Sequence, residues 1–137
     1  GCTVHAGEWA GAESVRAGMA LPVTRIAHGV RAIEEPALVD ELAERGLVLE
    51  VCPTSNVVLG AFPTYADHPL PDLRAAGVKV TLGSDDPPYF GASIGGEYRV
   101  CSEHFGYDDE QLRDITRTAI AAAFCEQTLK DSLIRRV

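Results

Sequence analysis

Two imidazoles, a glutamate and a tandem pair of aspartates stand out in this 137-residue chain, because each closes an apolar run. They fall in four short motifs: Thr3-Val4-His5-Ala6-Gly7-Glu8, Arg25-Ile26-Ala27-His28-Gly29, Cys52-Pro53-Thr54-Ser55-Asn56 and Gly83-Ser84-Asp85-Asp86-Pro87. Imidazole nitrogens and carboxylate oxygens are ligands for zinc, and a carboxyl near such an ion can move a proton. The combined set is that of metal-assisted hydrolysis. One motif alone would say little. Four in this order, each at a strand end, narrow the chemistry.

Each residue has a plainer reading beside the chemical one. His5 is a candidate zinc ligand, or a core histidine bonded to backbone. Glu8 stands three residues beyond His5, in reach of a substrate atom, where desolvation would raise its pKa and make it an acid near neutral pH. Its plainer reading is a helix-start glutamate favoured by the dipole. His28 precedes Gly29, where the backbone can turn tightly. It could orient or deprotonate a metal-bound water, or make a structural hydrogen bond. Asp85 and Asp86 can face the same way only if the strand ends there, and Pro87-Pro88 ends it. Two close carboxylates repel unless a cation or donor is present. A metal on Asp85 and a substrate ring on Asp86 would remove the conflict; a solvated turn is the alternative. Ser55 and Asn56 read as pocket walls or as turn residues. Tyr89 and Phe90 read as an apolar lid or as loop packing, His68 and His104 as structural, and Trp9 as a packing residue beside Glu8.

The elements that must position these groups alternate. Strands are predicted over 2–5, 24–27, 47–52 and 78–82. Helices are predicted over 13–19, from Pro36 to a stop at Gly46, and over 69–76, with Gly77 as the stop. Beyond a loop over 91–96, three helices follow: 97–104, one capped by Asp108 or Asp109 and running through Phe124, and 126–136. The second of these should turn Leu112, Ile115, Ala119, Ala122 and Ala123 inward. Strand–helix repeats of about 22–30 residues argue a parallel β/α architecture. Four such units are half of an eight-stranded barrel, which needs about 250 residues. No G-x-G-x-x-G dinucleotide fingerprint occurs. The whole of 1–137 reads as one domain region. The start at Gly1-Cys2, without a Met and already inside a strand, reads as an internal cut with the N-terminal half missing.

Composition narrows the partners. The net charge is −8 and the basic residues are dispersed. Nucleic-acid backbones want clustered Lys and Arg, so that partner is disfavoured. No apolar run approaches the roughly 20 residues that span a bilayer. The four cysteines are far apart and form no C-x-x-C pair, which fits reduced thiols in a cytoplasmic protein. Nothing in the sequence marks an oligomer interface.

The quoted motifs resemble the adenosine deaminase family of zinc-dependent amidohydrolases. His5-Ala6-Gly7-Glu8 and Ser84-Asp85-Asp86-Pro87 carry most of the likeness, with His28-Gly29 and Cys52-Pro53-x-Ser55-Asn56 between them. The Pro88–Ser93 stretch is similar to the bacterial branch, which includes adenine-specific members. The resemblance implies a (β/α)8 barrel, of which this chain is the C-terminal half plus terminal helices. It implies one zinc ion, with His5 and Asp85 as ligands and Asp85 also catalytic through its contact with the zinc-bound water. It implies Glu8 as the proton donor to purine N1, His28 as the group that positions and helps deprotonate the zinc water, and Asp86 as the partner of purine N7, with Gly7 also at the substrate. The family's His-x-His pair on the first barrel strand is absent here, as is a purine-contacting glycine from an earlier strand. The expectation is therefore that the isolated chain binds zinc poorly and is inactive, while its full-length parent deaminates adenosine. Adenine or another 6-aminopurine is the alternative substrate. A non-catalytic protein that kept the fold is the alternative of another class.

Overall fold

The computed structural model describes Gly1–Val137 and contains one parallel sheet of four strands: β1 (Thr3–Ala6), β2 (Arg25–His28), β3 (Val48–Val51) and β4 (Lys79–Leu82). Their order in space is their order in the chain. Successive right-handed β/α units give that order. A doubly wound sheet would reverse it at a switch point, and none occurs. The expected half-barrel of parallel strands is the architecture observed. Register is simple: Val4, Ile26, Leu49 and Val80 run side by side, and so do His5, Ala27, Glu50 and Thr81.

Side chains alternate along a strand, so these two rows face opposite ways. The first row enters the core. It meets Val15 and Met19 from α1 (Ala12–Met19), Leu38 and Leu42 from α2 (Pro36–Arg45), and Leu70 and Leu73 from a short α4 (Leu70–Ala75). The second row is polar. There Glu50 ion-pairs with Arg25 at 3.2 Å and accepts the Thr3 hydroxyl at 2.5 Å. The Arg25 guanidinium also lies 3.7 Å over the Phe124 ring, tying the C-terminal helices beneath the strands.

Local chemistry sets the helix ends. Pro36 opens α2, and Gly46 closes it at φ +64°, in the left-handed region. α6 (Ile94–Phe105) starts earlier than predicted, within the stretch read as a loop. The Ser93 side chain accepts the Gly96 N–H at 3.1 Å and caps it despite two glycines in its first turn. α7 (Asp109–Ala122) begins with a reciprocal capping box between Asp108 and Gln111. Of its predicted inner residues Ile115 is fully buried, whereas Leu112, Ala119, Ala122 and Ala123 are half-buried. The helix lies along the edge strand β4, not over the sheet centre. α8 (Gln127–Ile134) packs on α7. Two helices lie outside the predicted set: α3 (Pro53–Val58) and a single turn, α5 (Pro87–Phe90). Thr, Ser, Asn and Val are weak helix formers, so α3 depends on its surroundings.

All four cysteines are unpaired. No helix is long and apolar enough to cross a membrane.

Candidate active site

The polar motifs converge beyond the carboxyl ends of the strands, where β/α barrels carry their chemistry. His5 is exposed on the open face of β1, with its ring centroid 5.2 Å from that of His28. Alternation along β2 would send His28 to the core side with Ile26. Instead His28 has φ +62° and Gly29 φ +68°, so the chain turns sharply and the imidazole lies against His5. Histidine and aspartate are among the few non-glycine residues that tolerate this region. The only other non-glycine residue there is Asp85, at φ +52°. Both left-handed side-chain-bearing residues are thus at the site, as expected where backbone strain serves function.

Glu8 follows the tight turn at Gly7. A Cβ at Gly7 would approach Val15 Cγ2 to 2.4 Å, and φ is +66°, so only glycine fits. Its N–H donates to Ser14 Oγ at 2.8 Å, and its carbonyl accepts the Arg31 N–H at 3.0 Å. Arg31 Nε donates to the Glu8 carbonyl at 3.0 Å and steadies the turn. The half-buried Glu8 carboxylate reaches His28 Nε2 at 3.5 Å. Burial pulls the His28 pKa below its ordinary value, with Glu8 and Asp85 working the other way. Glu8, His28 and Asp85 therefore share one electrostatic neighbourhood.

Ser55 and Asn56 do not form pocket walls. Both are buried on α3 and act on other side chains. Ser55 Oγ donates to Asp85 Oδ2 at 2.6 Å, and the Asn56 amide stands 3.4 Å from His28 Nδ1. α3 itself is held from outside. Its N-cap Cys52 makes no side-chain cap, and the buried Glu97 of α6 accepts the Thr54 N–H at 3.0 Å. Burial pushes the Glu97 carboxyl up, while that hydrogen bond pulls it down. Nothing in the sequence pointed to Glu97, which is separated from Thr54 by more than two elements of structure. Asp86 is exposed at the start of α5, its backbone carbonyl taken by Tyr89 and Phe90 N–H groups. Trp9, expected to pack beside Glu8, is 60% exposed, because the turn directs it away from the core.

The donor set suits a metal in part. His5, Glu8 and His28 bring one ligand atom each within 4.8 Å of one another, as do His28, Cys52 and Asp85. The Cys52 thiol is pushed up to about 12, chiefly by burial, and so stays protonated. An imidazole and a carboxylate are proper zinc donors, but a catalytic zinc takes about three protein ligands. His5 stands in the first group and Asp85 in the second, with His28 common to both, so they fit only as a partial set that needs further donors.

A parallel β/α sheet with titratable groups gathered at its carboxyl edge is the arrangement of β/α-barrel enzymes. Within that class the likeness is specific. The family model for adenosine deaminase matches residues 1–137. The adenine deaminase of Chelativorans sp. (strain BNC1) is 54% identical over 100% of this chain and 42% of its own length. That of Mesorhizobium japonicum is 52% identical over 100% of this chain and 43% of its own. The crystal structure of adenine deaminase from Arthrobacter aurescens superimposes with a TM-score of 0.93 at 33% identity, covering 97% of this chain and 41% of that one. A Burkholderia ambifaria amidohydrolase with bound Zn superimposes at 0.85 with 27% identity, covering 95% and 37%. This chain belongs to the adenosine deaminase family. It spans less than half the length of the curated relatives it matches.

Proposed function

We propose that residues 1–137 serve as the C-terminal half of a zinc-dependent hydrolase that removes the 6-amino group of a purine, with adenine as the preferred substrate. The observation that carries this is the gathering of His5 and Glu8 from the end of β1, and of Asp85 from beyond β4, around the His28 imidazole at the end of β2. The expectation from the sequence put adenosine first. Relatives at 54% and 52% identity that are named adenine deaminases favour the free base.

His5 and Asp85 would hold the zinc, with the remaining ligands supplied by residues outside this chain. When bound, zinc makes hydroxide available near neutral pH by lowering the pKa of water. Glu8 protonates ring N1 as C6 becomes tetrahedral, so that the amino group can leave as ammonia. Asp86, whose carboxylate is exposed beside Asp85, hydrogen-bonds N7. N7 is normally an acceptor, so the pair needs a protonated Asp86 or the N7–H form of the base. Gly7 has both backbone polar groups committed within the protein, so it meets the ring by shape alone. His28 holds the reacting water.

Ammonia release from adenine and from adenosine by the complete zinc-loaded enzyme is the test. Faster turnover of adenine is expected. Turnover of adenosine alone would move the assignment to the nucleoside, and no turnover of either would move it to another 6-aminopurine or to a protein that kept the fold without the chemistry. His5→Ala should lower zinc content, and unchanged metal would exclude His5 as a ligand.

A further inference from the structure

Behind His28 runs a line of buried polar groups that the mechanism above does not use. The Leu70 backbone N–H donates to His68 Nδ1 at 3.2 Å. His68 Nε2 stands 3.2 Å from Asn56 Oδ1, and Asn56 Nδ2 stands 3.4 Å from His28 Nδ1. His68 is 4% exposed, Asn56 0% and His28 2%. Phe62 and Phe105 flank the His68 ring, at centroid distances of 5.2 and 5.8 Å. No charged group bonds to His68 or Asn56.

The direction of this line is fixed at one end. A backbone amide can only donate, so His68 Nδ1 must accept. Burial depresses the His68 pKa to about 4, which keeps the ring neutral at ordinary pH. A neutral imidazole carries one proton, here left on Nε2, and it donates to Asn56 Oδ1. The Asn56 NH2 group then faces His28 and donates to Nδ1. His28 in its neutral form must carry its proton on Nε2, the nitrogen that faces Glu8 at 3.5 Å.

We infer that His68 and Asn56 are positioning residues that lock His28 in the Nε2–H tautomer, as a donor and not a base toward the reacting water. The inference concerns the reaction only if the deaminase reading holds. In that case the water's O–H bond breaks toward a carboxylate oxygen of Asp85, which takes the proton, while His28 Nε2–H holds the water oxygen. The signal sits where no motif points. His68 lies twelve residues beyond Asn56, past a 3-10 turn over Tyr65–Asp67, and reaches back through the core.

The tautomer can be read directly by 15N–1H NMR of histidine-labelled complete enzyme, with Asn56→Asp as the perturbation. Wild type should give Nε2–H for both His28 and His68. The carboxylate introduced by that substitution can only accept, so the His28 proton should move to Nδ1 while His68 keeps its form. Turnover in that variant should fall about 10- to 100-fold with little change in KM, as for other outer partners of a site. An Nδ1–H tautomer at His28 in wild type would overturn the inference without any variant, which covers a variant that fails to fold. A His28 tautomer unmoved by Asn56→Asp in a folded protein would overturn it too. The spectra need no substrate. The expected tautomers in an enzyme that turns over no aminopurine would sink the deaminase reading and leave the relay standing.

Discussion

The two faces of the sheet use the same strands for opposite purposes. On the covered face, Ile26 and Leu49 are fully buried among apolar helix residues. On the other, His5 and Thr3 are exposed, Glu50 and Arg25 pair, and the imidazole–carboxylate cluster gathers at the carboxyl edge. Strand alternation makes this division unavoidable, since neighbouring residues cannot share a face. The division teaches that stability and chemistry should separate under substitution. His28 breaks the rule by a left-handed turn, and so belongs to both regions: its ring is buried and yet meets His5.

The largest effect should come from the chemical side. Glu8→Gln keeps shape and removes the acid, so kcat should fall about 10²- to 10⁴-fold with the melting temperature and zinc content unchanged. Retained turnover would end the proton-donor role. Next comes the covered face. Leu49→Ala empties a fully buried core site, and urea unfolding should show a loss of about 2–5 kcal/mol. If that variant lost activity with no loss of stability, the separation of faces would fail.

A smaller effect tests the bridge between them. His68 is held neutral in the folded protein, with its pKa depressed to about 4 from an ordinary 6.5. Below the ordinary value the unfolded chain takes up a proton that the folded protein refuses. Stability should therefore fall as pH drops from 6.5 toward 4 and level off below, with a ceiling near ~3 kcal/mol. Glu97 acts in the opposite sense, because its raised pKa favours the protonated fold as pH falls. Replacing His68 with Gln should flatten the His68 part of the slope; an identical pH profile in that variant would remove His68 as its source. Smallest is the periphery. Asp108→Ala deletes the side chain that caps α7 and should cost about 1 kcal/mol in thermal unfolding, with KM unmoved.

Much of this molecule could be read without coordinates. Short apolar runs, one of them alternating, placed all four strands within two residues, and Pro36, Gly46 and Asp108 marked helix ends by their own chemistry. Four motifs at strand ends named His5, Glu8, His28, Asp85 and Asp86 as candidates, since imidazole and carboxylate groups supply both the ligands and the acid–base groups that hydrolysis at a metal needs. The misses share a cause. α3 lacks helix-forming residues and is fixed by Glu97 from a distant helix. α6 begins inside a glycine-rich stretch because one serine hydroxyl meets one amide.

What the sequence determined by itself was local: periodicity, turn chemistry and the inventory of reactive side chains. What only the tertiary structure decided was which of those groups meet. Ser55 became the holder of Asp85, Asn56 the partner of His28, and His68 a member of the same line. The physical reason is directional. A hydrogen bond needs a donor and acceptor at about 3 Å in a set orientation, and chain spacing encodes neither for residues brought together by packing.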